Sequence, residues 1–256
     1  MLLEKKKILI MGIRNKWSIA WGIATRAAEN GADLFFTYQG EENREKLESL
    51  LSEIPYKKAY ACDASKDEDI QKVLKEIKEE YGNLDGIVHC IAHANTEDLR
   101  QDFILTSKEG FSHANDVSAY TLVATARIAK ELDVLTENAS IVTLTYHGST
   151  KVLPNYNVMG VAKAALECSV RYLADNLGPQ NIRVNAISAG PIKTLSAKGI
   201  KDFSTIQDVV EEKAPLRRNV TIEEIGDSVV FMLSPMSRAI TGQVLYADSG
   251  YNIMGI

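Results

Sequence analysis

The sequence predicts an α/β fold in which about seven parallel strands form one doubly wound sheet within a single domain, residues 1–256. Short apolar runs alternate along the chain with longer amphipathic stretches, which is the pattern of repeated strand–helix–strand units. No repeat, low-complexity run or linker divides the chain, and 256 residues are enough for one large two-sided core. In such a Rossmann-type fold, ligands bind at the carboxyl ends of the strands, so residues that follow the strands are the candidates for a site.

The predicted strands are short, mostly apolar runs, as expected for strands that are buried on both faces of a parallel sheet. The first, Lys7–Met11, is too short for the apolar segment of a signal peptide or for a membrane span. The Ser140–Thr145 run is rich in β-branched residues and predicts a central strand. The remaining strands, in chain order, are Leu34–Thr37, Lys58–Ala61, Ile87–Cys90, Arg183–Ile187 and Gln243–Ala247.

The predicted helices carry apolar residues at helical spacing with polar residues between them. The first, Ser18–Asn30, places Ile19 and Ile23 on one face and stops at the following glycine. The others, in chain order, are Glu41–Ile54, Lys66–Tyr81, Lys108–Leu132, Asn157–Leu177, Thr205–Lys213 and Thr221–Leu233. Residues 188–203 contain Gly and Pro but few periodic apolar positions, which predicts a functional loop or lid.

Composition and charge exclude several classes of function. The net charge is -5 and no basic cluster occurs, so neither a nucleic-acid interface nor a membrane anchor is predicted. Cys62, Cys90 and Cys168 lie far apart with no CxxC pair, which argues against a zinc site or a disulfide framework and favours the reducing cytoplasm. The four histidines are not spaced as a ligand set, so no metal is expected.

A glycine turn after the first strand is the first candidate binding feature. Gly12 follows that strand directly, and Ser18 and Ile19 open the next helix. Backbone N–H groups and a positive helix terminus could therefore meet a pyrophosphate. The G-x-G-x-x-G spacing that is typical of dinucleotide sites is absent, and a turn that serves only chain geometry remains the alternative.

The residues after the second and third strands bear on which dinucleotide would bind. An NAD site usually carries an acid at the end of the second strand, where this chain has Gln39. Glutamine can hydrogen-bond a ribose but offers no charge to a 2′-phosphate, and Glu41 and Glu42 would repel one. NADH is therefore expected, with NADPH less favoured. Asp63, after the third strand, could accept from an adenine amine, although a turn or helix-cap role is the alternative.

A tyrosine and a lysine near the start of the helix predicted over Asn157–Leu177 are the candidates for chemistry. Tyr156 and Lys163 are seven residues apart, close to two helical turns, so both side chains lie on one face and could reach one ligand. Lys163 stands in a run of Ala, Val, Gly and Leu, where an ammonium is costly unless it meets a partner such as a cofactor ribose. The pair alone is weak evidence, because tyrosine is common at helix starts.

Six segments along essentially the whole chain match one known family: 18–22 (SIAWG), 88–91 (VHCI), 155–163 (NYNVMGVAK), 183–192 (RVNAISAGPI), 194–199 (TLSAKG) and 248–250 (DSG). They resemble the short-chain dehydrogenase/reductase superfamily and, within it, the enoyl-acyl-carrier-protein reductases of bacterial fatty acid synthesis. Most short-chain ketoreductases place the catalytic tyrosine four residues before the lysine, where this chain has Met159. The wider spacing from Tyr156 to Lys163 resembles the enoyl reductases, and Tyr146 matches their second active-site tyrosine.

The resemblance implies an activity, a cofactor and a partner. Such an enzyme transfers a hydride from NADH to a trans-2-enoyl thioester carried by acyl carrier protein, the last reductive step of fatty acid elongation, and is usually a cytoplasmic homotetramer. In this chain Tyr156 would donate a hydrogen bond to the thioester oxygen and Lys163 would hold the nicotinamide ribose. Tyr146 would line the pocket or help to supply a proton.

The resemblance also implies two sets of binding residues. Those that would contact the dinucleotide are Gly12, Ser18, Ile19, Gln39, Asp63, Ala64, Ile91, Lys163, Ile192, Lys193, Thr194, Leu195 and Ser196. Those that would meet the acyl substrate or form a lid over it are Ala94, Met159, Ile200, Phe203 and Ile206.

Four positions depart from the family pattern, namely Arg14, His93, His147 and Lys193. His93 stands where an aromatic that lines the pocket is usual, so it could alter substrate preference, although neutral surface drift is the alternative. A paralogue acting on another enoyl or 3-ketoacyl thioester remains open, as does a catalytically silent dinucleotide-binding regulator. The intact tyrosines and lysine argue against the regulator, and the methionine at the ketoreductase tyrosine position argues against a ketoreductase.

Overall fold

Seven strands form one sheet in residues 1–194 and 203–255, the part of the chain that this computed structural model describes. They are β1 (Lys7–Met11), β2 (Asp33–Tyr38), β3 (Lys58–Ala61), β4 (Leu84–His89), β5 (Leu135–Thr145), β6 (Arg183–Ala189) and β7 (Val244–Ala247). Each strand pairs in parallel with its neighbours, in the order β3-β2-β1-β4-β5-β6-β7. The predicted doubly wound α/β fold is confirmed.

Helices cover both faces of the sheet. They are α1 (Ile19–Glu29), α2 (Arg44–Leu51), α3 (Asp67–Tyr81), α4 (Thr96–Arg100), α5 (Lys108–Asn115), α6 (Thr121–Glu131), α7 (Asn157–Leu177), α8 (Phe203–Lys213) and α9 (Ile222–Leu233). Buried residues of α1, α2 and α9 form an apolar core on one face, and those of α3, α6 and α7 form another on the opposite face. The strands are thus buried on both sides, which explains their continuous apolar sequence.

The chain reverses its winding direction between β1 and β4. From β1 it proceeds outward to β2 and β3, and it then returns to β4 on the other side of β1. In folds of this kind the ligand crevice lies outside the carboxyl ends of the strands at this reversal. Gly12 follows β1 there, and a Cβ placed on it would lie 3.1 Å from the Ile91 side chain that follows β4.

Some predicted boundaries are confirmed and others are wrong. The ranges predicted for β1, β3 and α7 coincide with the observed ones. The loop predicted over residues 188–203 is wrong at both ends. Ser188 and Ala189 continue β6 because they pair with residues of β7, and Phe203 already belongs to α8.

The helix predicted over Lys108–Leu132 is not a regular α-helix. Its two parts, α5 and α6, are joined by a π-helical turn, Asp116–Tyr120, a local widening that often occurs at functional sites. The helix predicted over Glu41–Ile54 instead begins with a 3-10 turn, Glu41–Asn43, and ends at Leu51. The sequence pattern does not predict α4, since its five residues are too few to show helical periodicity.

Candidate active site

The turn after β1 leaves no room for a side chain at Gly12. Its φ is +87°, in the left-handed region that favours glycine, and a Cβ placed on it would lie 2.7 Å from the Cys90 carbonyl oxygen. The Gly12 N–H donates to the Thr37 carbonyl oxygen at 3.2 Å. The ends of β1, β2 and β4 therefore meet around this glycine, and a ligand can approach its backbone closely.

The first turn of α1 lies next to this glycine turn in the chain. Ser18 caps the helix, since its Oγ accepts from the Trp21 N–H at 3.2 Å and donates to the Asn15 carbonyl oxygen at 2.7 Å. No acidic residue stands in the first helical turn, so the positive end of the helix is not neutralised. A bare glycine turn followed by such a helix end fits the pyrophosphate of a dinucleotide.

Gln39 and Asp63 come after β2 and β3, at the carboxyl ends of these strands, on the side of the sheet where β3 is the edge strand. Gln39 is exposed directly after β2. Arg44 in α2 donates to Glu48 at 2.9 Å and lies 4.0 Å from Glu41, so its guanidinium is engaged with carboxylates. Asp63 Oδ1 accepts from the Oγ and the N–H of Ser65, and these hydrogen bonds lower the pKa of Asp63. Asp63 is thus a turn residue, and a role toward adenine stays a prediction.

Tyr146 and Tyr156 form one aromatic pair. Tyr146 follows β5 and Tyr156 precedes α7, and their rings meet edge to face with centroids 4.9 Å apart. Gly148 makes the contact possible, because a Cβ there would overlap the Tyr156 ring. Burial raises the pKa of both phenols above the ordinary tyrosine value of 10.0. Both hydroxyls therefore remain protonated at neutral pH and can donate.

Lys163 is buried in α7, with 6% of its surface exposed. Its Nζ donates to the Leu144 carbonyl oxygen at 2.8 Å, the one acceptor found for it in the described part of the chain. Burial lowers the pKa of Lys163 to about 8, and the nearby Cys90 and Glu167 partly oppose this shift. An ammonium has three N–H donors, so Lys163 keeps donors for a ligand such as a ribose.

A small apolar cluster surrounds the tyrosine pair and is separate from the two cores of the sheet. Met159 and Tyr156 are buried in it, and Ala94 and Tyr146 pack against it. The two predicted substrate residues Ala94 and Met159 are therefore brought together with the phenols. An apolar surface beside hydrogen-bond donors suits an acyl chain whose polar end must be oriented.

The remaining predicted residues lie along the carboxyl edge or outside the described residues. Ile192 is half-buried against the core of α1 and α9, and its carbonyl oxygen accepts from the Thr194 N–H at 2.8 Å. Lys193 is exposed, whereas Ile19, Ala64, Ile91 and Ile206 are half-buried. Leu195, Ser196 and Ile200 lie outside the described residues, as does the side chain of Phe203.

Sequence reasoning missed Ser118, which holds the loop after β4. This serine, in the π-helical turn, accepts from the His93 N–H at 3.0 Å and its Oγ lies 3.1 Å from the His93 carbonyl oxygen. Ser118 Oγ also lies 3.7 Å from the Met159 sulfur. Ser118 thereby fixes the loop that carries Ala94 to the π-helical turn between α5 and α6, and also to Met159 in α7. A serine within a helical pattern gives no signal of a contact that spans 25 residues.

His93 does not pack in the apolar cluster, contrary to the expectation from the family pattern. Its side chain is exposed, and its Nδ1 lies 2.7 Å from Nε2 of His113 in α5. Such a contact needs one N–H and one bare nitrogen. Although the residue is largely exposed, partial desolvation of the imidazole by its neighbours lowers the pKa of His93. His113 and Arg14 lower it further, because a protonated His93 would lie near another positive charge.

The histidine pair predicts an acid limb in the pH profile. We expect kcat/KM to fall as the pH drops below about 6.5. When both imidazoles are protonated, neither has a bare nitrogen, so the N–H···N bond next to the loop that carries Ala94 is lost. The sign follows from the lowered pKa, since the folded protein favours the neutral His93. His93→Phe is expected to flatten this fall. Parallel profiles for wild type and variant between about pH 5.5 and 7.5 would count against the idea.

Two kinds of feature are absent from the described part of the chain. Among residues 1–194 and 203–255, no group of three or more side chains could hold a metal ion, and no helix is long and apolar enough to cross a membrane. One sheet with a switch point positions all the features described above. These are the glycine turn, the first turn of α1, the paired tyrosines and the buried lysine. Together they define a dinucleotide-dependent oxidoreductase of the short-chain type.

Comparisons with known proteins identify the family. A family model described as Enoyl-(Acyl carrier protein) reductase matches residues 12–252. The chain is 49% identical over 256 residues to enoyl-[acyl-carrier-protein] reductase [NADH] FabI of Bacillus cereus, with 99% of each chain covered. It is 50% identical over 252 residues to enoyl-[acyl-carrier-protein] reductase [NADPH] FabI of Staphylococcus aureus, with 98% of each covered. The chain belongs to the enoyl-(acyl carrier protein) reductase family.

Solved structures agree with this assignment. The fold is similar to the crystal structure of the Bacillus cereus enoyl-acyl carrier protein reductase with NADP+ and indole naphthyridinone, at a TM-score of 0.97 and 49% identity over 100% of this chain and 99% of that one. It is also similar to the enoyl-[acyl-carrier-protein] reductase (NADH) from Aquifex aeolicus, at a TM-score of 0.96 and 44% identity over 100% of both chains.

Proposed function

We propose that the chain reduces the double bond of trans-2-enoyl thioesters carried by acyl carrier protein, with a nicotinamide dinucleotide as the reductant, in the fatty acid elongation cycle. The observation that carries this proposal is the meeting of the tyrosine pair, the buried Lys163 and the apolar cluster around Met159 at one edge of the sheet. Membership of the family and the activity named for its relatives support it.

Tyr156 is the hydrogen-bond donor of the reaction. The reduced nicotinamide supplies a hydride to the β-carbon of the enoyl thioester. As the negative charge moves to the thioester oxygen, the Tyr156 hydroxyl, which burial keeps protonated, donates a hydrogen bond to that oxygen. This stabilises the enolate more than the uncharged ground state. A proton taken up from solvent at the α-carbon then gives the saturated thioester. Tyr146 lines the pocket through its edge-to-face contact with Tyr156.

Lys163 holds the cofactor and adds positive potential. One of its N–H donors is used by the Leu144 carbonyl oxygen, and the others would be available to the hydroxyl groups of the nicotinamide ribose. Gly12 and the N-terminal turn of α1 would hold the pyrophosphate. The positive charge of Lys163 also favours the enolate near Tyr156.

An assay with two thioesters side by side tests the function. We expect the purified protein to oxidise NADH with a crotonyl thioester and not with an acetoacetyl thioester. The reverse preference would identify a ketoreductase. Binding of NADH without turnover of either thioester would identify a silent regulator. A chain-length series of enoyl thioesters in the same assay then establishes the acyl preference.

NADH is the cofactor that the chain's own residues favour, although relatives are named for NADH and for NADPH. Gln39 offers a 2′-phosphate no charge, and Arg44 is engaged with Glu48 and Glu41. We therefore expect a higher kcat/KM with NADH than with NADPH. Gln39→Arg is expected to reduce the difference in kcat/KM between NADH and NADPH, because it adds a planar cationic donor for the 2′-phosphate. A preference of the wild type for NADPH would overturn this assignment, and Arg44→Ala would then show whether Arg44 releases its carboxylates to bind the phosphate.

A cytoplasmic homotetramer is the assembly that the family resemblance implies. An open groove on the outer side of α5, α6 and α7 supports it, because small side chains that let helices approach closely line much of it. These are Ser112, Ala119, Val123, Ala165 and Ser169. The rest of the lining is larger or polar, namely His113, Asn115, Asp116 and Tyr120. Tyr120 is 48% exposed and could be buried by a second copy. Light scattering tests this with four chains of 28.2 kDa as the expected mass.

A further inference from the structure

The sheet face that packs against α7 becomes polar toward the carboxyl ends of its strands. Ile141 belongs to the core on that face and Val142 to the core on the other, so Thr143 and Thr145 return to the α7 side. Ser188 of β6 is the register partner of Thr145. Thr143, Thr145 and Ser188 are all buried. A polar band therefore crosses an otherwise apolar interface, directly beneath the proposed site.

Glu167 supplies the carboxylate in this polar band, and it has no role in the mechanism proposed above. It lies one helical turn after Lys163 in α7 and is only 7% exposed. Thr145 Oγ1 donates to Glu167 Oε1 at 2.6 Å. The nearby Ser188 hydroxyl has no hydrogen-bond partner in the described part of the chain. Burying a carboxylate is costly, so a nearby positive charge is the expected compensation.

Lys163 is the matching charge. It is buried at the same interface, and Leu144 supplies its one acceptor among the described residues. Lys163 and Glu167 make no ion pair within 4.0 Å, so the carboxylate acts on the ammonium through space and leaves its donors unoccupied. Consecutive residues of β5 thus hold the two groups, Leu144 through its carbonyl oxygen and Thr145 through its hydroxyl.

We infer that Glu167, fixed by Thr145, is a positioning residue that keeps Lys163 in its ammonium form. Lys163 then retains the N–H groups that bind the cofactor ribose. The inference rests on the function proposed above. A direct salt bridge would occupy the N–H groups that the ribose needs. A carboxylate held one turn away supplies the compensating charge without that competition.

The titratable groups around Lys163 allow a clean test in the alkaline range. His89, the last residue of β4, and Cys90, which follows it, face Lys163. Tyr156 directly precedes α7, and Glu167 lies in α7 with Lys163. Burial lowers the pKa of His89 to about 3 and raises that of Cys90 to about 12, and it also raises the pKa of Tyr156. We therefore assign an expected transition in cofactor binding near pH 8 to Lys163.

The test is the affinity for NADH as a function of pH, measured by NADH fluorescence without substrate. In the wild type the affinity is expected to fall with a midpoint near the Lys163 pKa of about 8. In Glu167→Gln the midpoint is expected to move down by about one pH unit, which makes binding about fivefold weaker at pH 8 and up to about tenfold weaker at higher pH. At about pH 6, where Lys163 is protonated in both proteins, the affinities are expected to agree within about twofold.

Three variants separate this role from a structural one. Glu167→Asp restores the charge and is expected to return the midpoint toward the wild-type value. Asp175→Asn removes an exposed carboxylate from the same helix and is expected to leave the midpoint unchanged. In a Lys163→Met background, Glu167→Gln is expected to have no effect on the pH dependence.

Each contrary outcome has its own meaning. A wild-type midpoint in Glu167→Gln, or weaker binding by the same factor at every pH, overturns the inference. If Lys163→Met alone keeps the wild-type transition, the role proposed for Lys163 fails instead. Melting temperatures of all variants, measured at about pH 6, identify any variant that does not fold.

Discussion

Tyr156→Phe is expected to lower kcat by about ten- to a thousandfold while NADH affinity stays within about twofold of the wild-type value. The substitution removes only the hydroxyl that we assign to the developing thioester oxygen. The ring remains, and so does its edge-to-face contact with Tyr146 at 4.9 Å. Because the hydrogen bond is stronger in the transition state than in the ground state, its loss should affect turnover more than substrate binding. Steady-state kinetics with crotonyl thioester and fluorescence titration of NADH measure the two effects separately.

Tyr146→Phe is the matched control, because it removes the same group from the other ring of the pair. We expect a smaller loss of kcat than in Tyr156→Phe, since Tyr146 is assigned to the pocket wall. Unchanged kcat in Tyr156→Phe would remove that residue from the donor role. A larger loss of kcat in Tyr146→Phe than in Tyr156→Phe would assign the donor role to Tyr146.

Lys163→Ala is expected to raise the KM for NADH and to lower kcat, each by about ten- to a hundredfold. The variant loses both the donors for the ribose and the positive potential near the enolate, so the two parameters should change together. Steady-state kinetics with varied NADH at saturating crotonyl thioester give both. A change in KM with unchanged kcat would limit Lys163 to cofactor binding.

Lys163→Met distinguishes function from stability at the same position. The native ammonium is 6% exposed and has one acceptor among the described residues, so it is desolvated without full compensation. An apolar chain of similar length removes that penalty. Lys163→Met alone would leave the buried Glu167 without its compensating charge, so the comparison uses the double variant Lys163→Met/Glu167→Gln. We expect the melting temperature of this cofactor-free double variant to be no lower than that of the wild type, although NADH binding weakens. A clear fall in melting temperature would show that Lys163 is also a structural residue.

The parts of the fold that sequence predicts well are those governed by local patterns. The predicted ranges of β1 and α7 agree with the structure to the residue because an apolar run or a helical periodicity ends at a glycine, Gly12 after β1 and Gly178 after α7. The same holds for Gly12, where a turn between strand and helix demands a residue without a side chain. Their helical spacing marked Tyr156 and Lys163 as candidates, whereas their roles, and Tyr146 as a site residue, came from the family resemblance.

Long-range contacts account for what sequence did not predict. β6 extends to Ala189 only because β7 lies beside it. Ser118 and Glu167 acquire their importance from partners 25 and 22 residues away, across the sheet–helix interface. Glu167 did leave one signal, an acid in a mostly apolar helix one turn after a candidate lysine. His93 shows the converse, since family pattern suggested a pocket residue and its ring instead meets His113.

The end of β5 links three parts of the site through three successive residues. Leu144 holds Lys163 by its carbonyl oxygen, Thr145 holds Glu167 and Tyr146 meets Tyr156. Successive side chains of a strand point to opposite faces, so adding or deleting one residue here would turn every later side chain to the wrong face. Substitutions at this end would disturb one link at a time, whereas a change of length would break them together. We therefore expect this segment to tolerate single substitutions better than a change of length.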